Sequence, residues 1–408
     1  MPRVEQPHER SFARRLALLM YAAIVLITSG AAATVLVAGM DHSGEDHSGE
    51  DHSNENLVGI NLSDANLQGT NLSGSDLSDA IMDRANLMGA FLDSTLFRRA
   101  SMLAADLRNA AGQSADFQDA DLTGANLSGS SFDGAQFDGA TLVDSQLQSG
   151  SFDAANFDGA NLTRANLSNT TSTGASFVNA NLVEANLYNG DFTGSDFSGA
   201  DLTQAVLDRG IFQNAMFNGS ILVQASMLDA DFDGASFDGA NLSGATLERS
   251  TFRTVSFVNA TLDGADGKNA DFQGADFTGA SLLLTDLKNS NLVDAVFQDA
   301  DLSGAELWNA DLSGADLSNA ELAGASLKNA DLSGATVAGV DFTDVLDVDS
   351  ANFSGAYYDT STILDSAIIT AFSMVLIPEP DTGGLVLMGL ALLAAGRRRG
   401  RRVRPEAS

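Results

Sequence analysis

The chain has 408 residues, no cysteine and a formal net charge of −33. The missing cysteine excludes disulfides, thiolate catalysis and cysteine-based metal sites. The acidic residues are concentrated in the body of the chain, because residues 41–372 carry 49 acidic and 11 basic side chains. Such a surface repels the phosphates of nucleic acids, so we expect no nucleic-acid partner.

The first 40 residues predict a signal peptide or an N-terminal membrane anchor. Residues 16–40 form an almost uncharged run that follows Arg14 and Arg15. The length of the run favours a membrane-spanning anchor, whereas the small residues 30–33 suit cleavage by a signal peptidase, and both alternatives stay open. Since the basic residues precede the run, we expect the rest of the chain on the outer side of the membrane.

Residues 41–56 are acidic and rich in histidine. His42, His47 and His52 recur at every fifth position. Imidazoles mixed with carboxylates suit Zn²⁺, Ni²⁺ or Cu²⁺, so these three histidines are candidate metal ligands. The alternative is a degenerate repeat that serves as a disordered polar linker. We predict a linker for residues 41–56 and keep metal binding as the second hypothesis.

Residues 57–345 repeat with a period of five. An apolar residue recurs at every fifth position from Leu57 to Phe342, and a small residue precedes it by two positions. This period fits neither an α-helix, which repeats at three and four residues, nor a strand, which alternates. The chain must therefore turn a corner every five residues, with one large and one small side chain pointing inward on each side.

The phenylalanines reveal the length of one coil. One series recurs without a break at a spacing of 20 residues: Phe97, Phe117, Phe137, Phe157, Phe177, Phe197, Phe217, Phe237, Phe257, Phe277 and Phe297. A second series, in the phase of Phe132, is interrupted at Ser172. Four pentapeptides therefore make one coil, and like residues stack on like. The predicted fold is an all-β solenoid, a quadrilateral parallel β-helix of about 14 coils, with membrane-directed helical segments at both ends.

Three positions break the apolar rule, and few polar residues suggest chemistry. Gly112, Ser172 and Gly267 replace the large inward residue, and we expect each to leave a gap that weakens its coil. Residues 57–372 contain no histidine and no catalytic triad pattern, so we predict that the protein is not an enzyme. We expect no cofactor beyond weak binding of divalent cations by the aspartate-rich faces.

Residues 346–374 predict a C-terminal cap, because the open end of a β-helix invites aggregation. Leu346 and Asp347 disrupt the phase of the repeat, and Phe353 is one residue out of register. A capping helix or a final strand is expected within residues 361–376. A homodimer interface at this end is left open by the sequence.

The tail, residues 375–408, combines three features in order. The triplet Pro378, Glu379 and Pro380 is followed by a short apolar run and then by a basic cluster that includes Arg397, Arg398 and Arg399. This order resembles the PEP-CTERM sorting signal, although residues 404–408 extend past the usual arginine end. The resemblance implies processing by an exosortase, a membrane enzyme of exopolysaccharide-producing Gram-negative bacteria. The apolar run is then a sorting signal rather than a permanent membrane anchor. A plain tail anchor is the alternative.

The repeat itself is similar to the pentapeptide-repeat family, whose motif is A(D/N)LXX. Units such as residues 120–124, Ala-Asp-Leu-Thr-Gly, match it closely. The resemblance implies a right-handed quadrilateral β-helix. Combined with the tail, it predicts an exported acidic rod with a structural, scaffold or adhesion role at the cell surface or in the exopolysaccharide matrix, associated with the membrane through its termini before processing. A surface polysaccharide or another protein is the expected partner. The alternative is a function known in that family, DNA mimicry that occupies gyrase and gives quinolone resistance.

Overall fold

The computed structural model describes residues 35–377, which belong to two compact units, Met1–Asp196 and Phe197–Ser408. The predicted membrane-directed segments lie outside the described residues, apart from residues 35–40 and 375–377. Residues 35–40 are not helical; the N–H of Met40 donates to the carbonyl of Val37 across a turn, at 3.1 Å. Between residues 35 and 377, no helix reaches the length and apolarity that a membrane span requires.

One pentapeptide, Asn61–Ala65, illustrates the local structure of both units. Asn61 forms a β-bridge, Leu62 is buried, and Ser63 and Asp64 form a turn before the buried Ala65. The N–H of Ala65 donates to the carbonyl of Leu62 at 3.1 Å, and Asp64 has a φ of 59°. A positive φ at the third residue of a β-turn is the feature of type II turns, and it turns the chain sharply. The five-residue period is therefore one short extended stretch plus one turn.

Successive coils pair as parallel strands at a spacing of 20 residues. In the first unit Asn61 pairs with Ile81, and the N–H of Leu62 donates to the carbonyl of Ile81 at 2.7 Å. In the second unit Asp301 pairs with Glu321, and the N–H of Leu302 donates to the carbonyl of Glu321 at 2.7 Å. Backbone hydrogen bonds thus close a coil after four pentapeptides, and the fold is the predicted quadrilateral parallel β-helix.

The polar residue of the motif stabilises the turn. The Oδ1 of Asn61 accepts a hydrogen bond from the N–H of Ser63 at 3.0 Å, which is the Asx geometry that asparagine and aspartate favour. The Nδ2 of Asn61 donates to Oδ1 of Asp41 in the neighbouring coil at 3.0 Å. Asparagine and aspartate at this position therefore support both the turn and the stacking of coils.

The phenylalanine ladders fill the interior of each unit. All eleven rings of the first series are buried. In the first unit, successive rings from Phe97 to Phe177 stack with centroids 4.8–4.9 Å apart. In the second unit, the rings from Phe197 to Phe297 stack at 4.7–5.2 Å. This spacing equals the distance between paired strands, so each ring lies over the ring of the next coil.

The gaps expected at the two glycines are filled by neighbouring side chains. At Gly267, Cδ2 of Leu287 lies 3.0 Å from where a β-carbon would be. At Gly112, the ring of Phe132 occupies the corresponding space. At both glycines the expected gap is therefore occupied next to the backbone by a side chain from one coil away, and the weaker coil remains a prediction. Ser172 is fully buried, and its Oγ has no hydrogen-bond partner among the described residues.

The histidine-rich segment, predicted as a linker, is a coil of the β-helix. Asp41 pairs with Asn61, Asp46 with Asn66, and Asp51 with Asn71, all in parallel register. The linker boundary at residue 57 is therefore corrected, and the paired coils begin at residue 41. The segment folds because its backbone keeps the pentapeptide geometry, with Gly44 and Gly49 at the turn positions of positive φ.

The last coil of the second unit is closed by short elements. They are a 3₁₀ helix, Val348–Ser350; strand β1, Tyr357–Tyr358; helix α1, Ser366–Ala371; and strand β2, Val375–Leu376. β1 and β2 pair in parallel, and Phe372, which follows α1, packs edge-on against Phe353 with centroids 6.1 Å apart. The pairing of Asp331 with Asn352 spans 21 residues rather than 20, as the phase shift at Leu346 predicts.

Candidate functional site

The structure brings the three histidines of the first coil together. The ring centroids of His42 and His47 are 5.9 Å apart, and those of His47 and His52 are 5.6 Å apart. The residues of the predicted sorting signal, in contrast, lie outside the described residues: Pro378, Glu379, Pro380, Arg397, Arg398 and Arg399.

The imidazoles occupy the inward positions that leucine or phenylalanine fills elsewhere. The side chain of His47 is fully buried, that of His52 is 5% exposed and that of His42 is 15% exposed. The pentapeptide register dictates this burial, because each histidine lies five residues from the next and five or more before Leu57. A polar layer therefore takes the place of the apolar core in the first coil.

Glutamates occupy the small inward positions of the same coil, and they alternate with the histidines. The Oε2 of Glu45 is 2.9 Å from Nδ1 of His42 and 3.4 Å from Nε2 of His47. The carboxylate of Glu45 thus lies between two imidazoles, and its hydrogen bond with Nδ1 of His42 gives that mostly buried ring a polar partner.

The same arrangement continues along the coil. The Oε2 of Glu50 is 3.0 Å from Nδ1 of His47 and 2.9 Å from Nε2 of His52. The Oε1 of Glu55 is 3.4 Å from Nδ1 of His52. Within residues 35–377, two groups have the composition and compactness to hold a metal ion, His42–Glu45–His47 and His47–Glu50–His52, each with its ligand atoms within 4.8 Å of one another.

The surroundings of His52 favour its protonated form. Burial lowers the pKa of His52, but the hydrogen bonds with Glu55 and Glu50 outweigh it, so that the pKa is raised. At the β-bridge positions of the same coil, the pKa values of Asp41, Asp46 and Asp51 are lowered. The cause is hydrogen bonding by the serine two residues later, first from its hydroxyl and then from its backbone N–H. These carboxylates therefore stay ionised and surround the histidines with negative charge.

Reasoning from the sequence identified the histidines but missed the glutamates. Glu45, Glu50 and Glu55 stand where almost every other unit has alanine, serine, threonine or glycine. That substitution, in phase with the histidines, was the signal that could have identified them. On three successive sides of the first coil, a histidine replaces the large apolar inward residue and a glutamate replaces the small one.

The outer faces carry carboxylates, some of which are neutralised by arginines one coil away. Arg84 forms two hydrogen bonds with Asp64, from Nε to Oδ1 and from Nη2 to Oδ2, both 2.7 Å long. In the second unit, the side chain of Trp308 is exposed, and the ammonium groups of Lys288 and Lys328 lie 4.6 and 5.0 Å from its ring. Such exposed pairs contribute little stability each, because water screens them.

A shallow groove of about 360 Å³ lies beside the cap in the second unit. It is lined by Asp347, Asp349 and Asp365 together with apolar residues such as Phe342 and Ile368. All three aspartates are exposed.

Comparison with proteins of known structure finds several pentapeptide-repeat proteins. HetL, involved in heterocyst differentiation regulation in the cyanobacterium Nostoc sp. strain PCC 7120, is 28% identical over 57% of this chain and 88% of its own, with a TM-score of 0.19. QnrB1, a plasmid-mediated fluoroquinolone resistance protein, is 20% identical over 59% of this chain and 99% of its own, with a TM-score of 0.22. No curated protein matches this chain in sequence.

Family profiles match both parts of the chain. The PEP-CTERM protein-sorting motif matches residues 376–402, so the tail carries this signal, which implies processing by an exosortase. The profile described as pentapeptide repeats matches residues 56–93, 115–153, 155–194, 191–222, 222–253, 248–282, 284–319, 310–346 and 320–357. These matches cover more than half of the sequence, and the chain therefore belongs to the pentapeptide-repeat family.

Proposed function

We propose that this protein is a non-enzymatic, exported, acidic β-helix that serves as a scaffold or adhesion element at the cell surface or in the exopolysaccharide matrix. The observation that carries this proposal is the PEP-CTERM motif at residues 376–402, a signal for sorting rather than for catalysis. The basic and apolar N-terminal run of residues 1–40 points to export as well.

The interior and the surface of the two units fit such a role. The interior is filled by stacked side chains, and the carboxylates that line the groove at the cap are exposed. The outside presents aspartates at regular intervals, for example Asp301, Asp311 and Asp331. A regular acidic surface keeps copies of the protein apart and offers repeated contacts to a surface polysaccharide or to a basic protein.

Cell fractionation with and without the exosortase tests the proposal. We expect the chain in the outer fraction of the parent strain, with an intact mass that corresponds to trimming near Pro378. In the strain without exosortase, we expect an untrimmed chain that stays with the membrane. A full-length chain in the cytoplasm of the parent strain would contradict the proposal.

The second candidate is DNA mimicry that blocks gyrase, and the observation in its favour is the net charge of −33 on a pentapeptide-repeat chain. QnrB1, which is similar in sequence over part of this chain, is a fluoroquinolone resistance protein. A supercoiling assay with gyrase and the purified chain separates the two candidates. We expect no change in supercoiling at micromolar chain, and protection of gyrase from a fluoroquinolone would favour the second candidate.

A further inference from the structure

We propose that the first coil binds one divalent transition-metal ion through Nδ1 of His47, a carboxylate oxygen of Glu50 and Nε2 of His52. This site goes beyond the scaffold role, which does not require it. Two imidazoles and one carboxylate form the ligand set that zinc takes when it leaves a coordination position open for water or a further ligand.

The positions of the ligand atoms suit a tetrahedral ion. Oε2 of Glu50 is 3.0 Å from Nδ1 of His47 and 2.9 Å from Nε2 of His52. Zinc–ligand bonds of about 2.0–2.1 Å at tetrahedral angles separate the ligand atoms by roughly 3.3 Å. The two separations from Glu50 therefore lie within a few tenths of an ångström of the value for a coordination shell, and the two ring nitrogens lie within 4.8 Å of each other.

A carboxylate lies near the second ring nitrogen of each imidazole in this group, as an ion-pair contact at His47 and as a hydrogen bond at His52. Nε2 of His47 faces Glu45 at 3.4 Å, and Nδ1 of His52 faces Glu55 at 3.4 Å. When a metal ion takes one nitrogen of a neutral imidazole, the single proton must be on the other nitrogen, where a carboxylate accepts it. Glu45 and Glu55 occupy those two positions.

The neighbouring group, His42–Glu45–His47, lacks this support. Among residues 35–377, buried Nε2 of His42 has neither a hydrogen-bond partner nor a carboxylate at ion-pair distance, whereas Nε2 of His47 has Glu45 at 3.4 Å. His42, at 15%, is also the most exposed of the three histidine side chains, and Glu45, at 45%, is the most exposed of the three glutamate side chains. Since His47 belongs to both groups, it binds in only one of them at a time, and the better-supported group is the one with Glu50 and His52.

The backbone holds the ligands in place before any ion arrives. The hydroxyl of Thr70 donates to the carbonyl of His47 at 2.8 Å, and the hydroxyl of Ser75 donates to the carbonyl of His52 at 2.6 Å. These bonds join the first coil to the second at the two ligand residues. A rigid site with two nitrogen donors selects Zn²⁺, Ni²⁺ or Cu²⁺ over Ca²⁺ and Mg²⁺, which prefer oxygen ligands.

Titration of the purified full chain with zinc chloride tests the site. The titration contains calcium chloride at about 1 mM as a competitor. Calcium binds the surface carboxylates, so that zinc does not bind there, and it does not compete for the histidine nitrogens. We expect one Zn²⁺ per chain, and a loss of affinity of at least about tenfold in His47→Leu and in His52→Leu. Leucine fits these inward positions, because Leu67 and Leu72, 20 residues further on, hold the same places in the next coil.

His42→Leu is the matched control, since it makes the same substitution at the same inward position of the same coil. We expect its zinc affinity to stay within about threefold of the parent chain. Glu50→Gln keeps the shape of the side chain and removes its charge, and we expect it to weaken binding as His47→Leu does. Circular dichroism of each variant checks that the β-helix is retained.

Three results would overturn the proposal. They are a parent chain that takes up no zinc in the presence of calcium, a His47→Leu variant that binds as tightly as the parent, and a His42→Leu variant that loses as much affinity as His47→Leu. X-ray absorption of the zinc-loaded chain provides a second readout. Two nitrogen ligands and at least one oxygen ligand are expected, and an all-oxygen shell would contradict the assignment.

Discussion

The ring of Phe132 lies in the space that a side chain at Gly112 would occupy. A β-carbon built on Gly112 would be 2.7 Å from Cδ1 of Phe132 and closer still to Cε1. In this position the ring of Phe132 stacks less closely on the next ring, because its centroid is 6.3 Å from that of Phe152 and the two ring planes are tilted by 21°. It gains an edge-on contact with Phe117, at 5.3 Å and 85°. A missing side chain in one coil is thus compensated by a tilted ring in the next.

This contact predicts that Gly112→Ala destabilises the first unit. The added methyl group must displace the ring of Phe132 in a packed interior, which costs about 1–3 kcal/mol. Gly267→Ala is the comparison, because its β-carbon would meet Cδ2 of Leu287 at 3.0 Å, the end of a flexible side chain. We expect the larger fall in urea midpoint for Gly112→Ala. An equal or larger fall for Gly267→Ala would contradict the role given to Phe132.

Ser172 predicts a change of the opposite sign. Its buried Oγ has no hydrogen-bond partner in the described part of the chain, and an unsatisfied buried hydroxyl costs about 1–3 kcal/mol. We expect Ser172→Ala to raise the melting temperature. Ser195→Ala is the control, because Oγ of Ser195 donates to the carbonyl of Ser172 at 2.6 Å, and its loss should lower the melting temperature. The idea fails if both substitutions shift the melting temperature in the same direction.

The backbone at Thr254 is strained, and we predict that a glycine at this position stabilises the turn in the second unit. Its φ is +55°, a left-handed conformation that costs a β-branched residue about 1–2 kcal/mol. We expect Thr254→Gly to raise the free energy of unfolding by about 1 kcal/mol, as measured by calorimetry.

The reverse exchange one coil later is the matched control for this turn. Gly274 has a φ of +67°, and Cγ2 of Thr254 lies 3.6 Å from where its β-carbon would be. Gly274→Thr should lower the free energy of unfolding by a similar amount. A stabilising Gly274→Thr would show that the conformation at these positions is not a source of strain.

Asp359 predicts that the cap loses stability in acid. Burial raises its pKa, but hydrogen bonds from Ser361, the N–H of Gly339 and Thr362 outweigh burial and lower the pKa to about 2. Because the folded pKa is below the usual value, the ionised carboxylate stabilises the cap above about pH 4. This contribution is lost as the pH falls from about 4 to about 2.

The pH dependence separates this effect from the titration of other carboxylates. At pH 7 we expect Asp359→Asn to reduce the opening free energy of the cap by roughly 1 kcal/mol, after allowance for solvent screening. Hydrogen exchange of residues 339–363 measures that energy, and the difference from the parent chain should shrink below about pH 4. Asp349→Asn, at an exposed carboxylate of the same region, should have almost no effect. A difference that is independent of pH would contradict this prediction.

The repeat could be read from the sequence because its determinants are local. Each pentapeptide contains its own turn, its own inward pair and the polar residue that stabilises the turn, as Asn61–Ala65 shows. The spacing of 20 between phenylalanines such as Phe97 and Phe117 then gives the number of sides. The period of the first coil was visible in its histidines as well, but polar inward residues look like a solvated linker when burial is judged from hydropathy alone.

The sequence by itself therefore determined the five-residue period with its turn, the four-sided coil and the sorting signal at the C-terminal tail. Only the tertiary structure decided that residues 41–56 fold as a coil, that Glu50 lies between His47 and His52, and that Phe132 fills the space at Gly112. The physical reason is the range of the interactions. Turns depend on neighbours within five residues, whereas the acceptance of a polar layer or a missing side chain depends on how groups in the same and adjacent coils pack and pair.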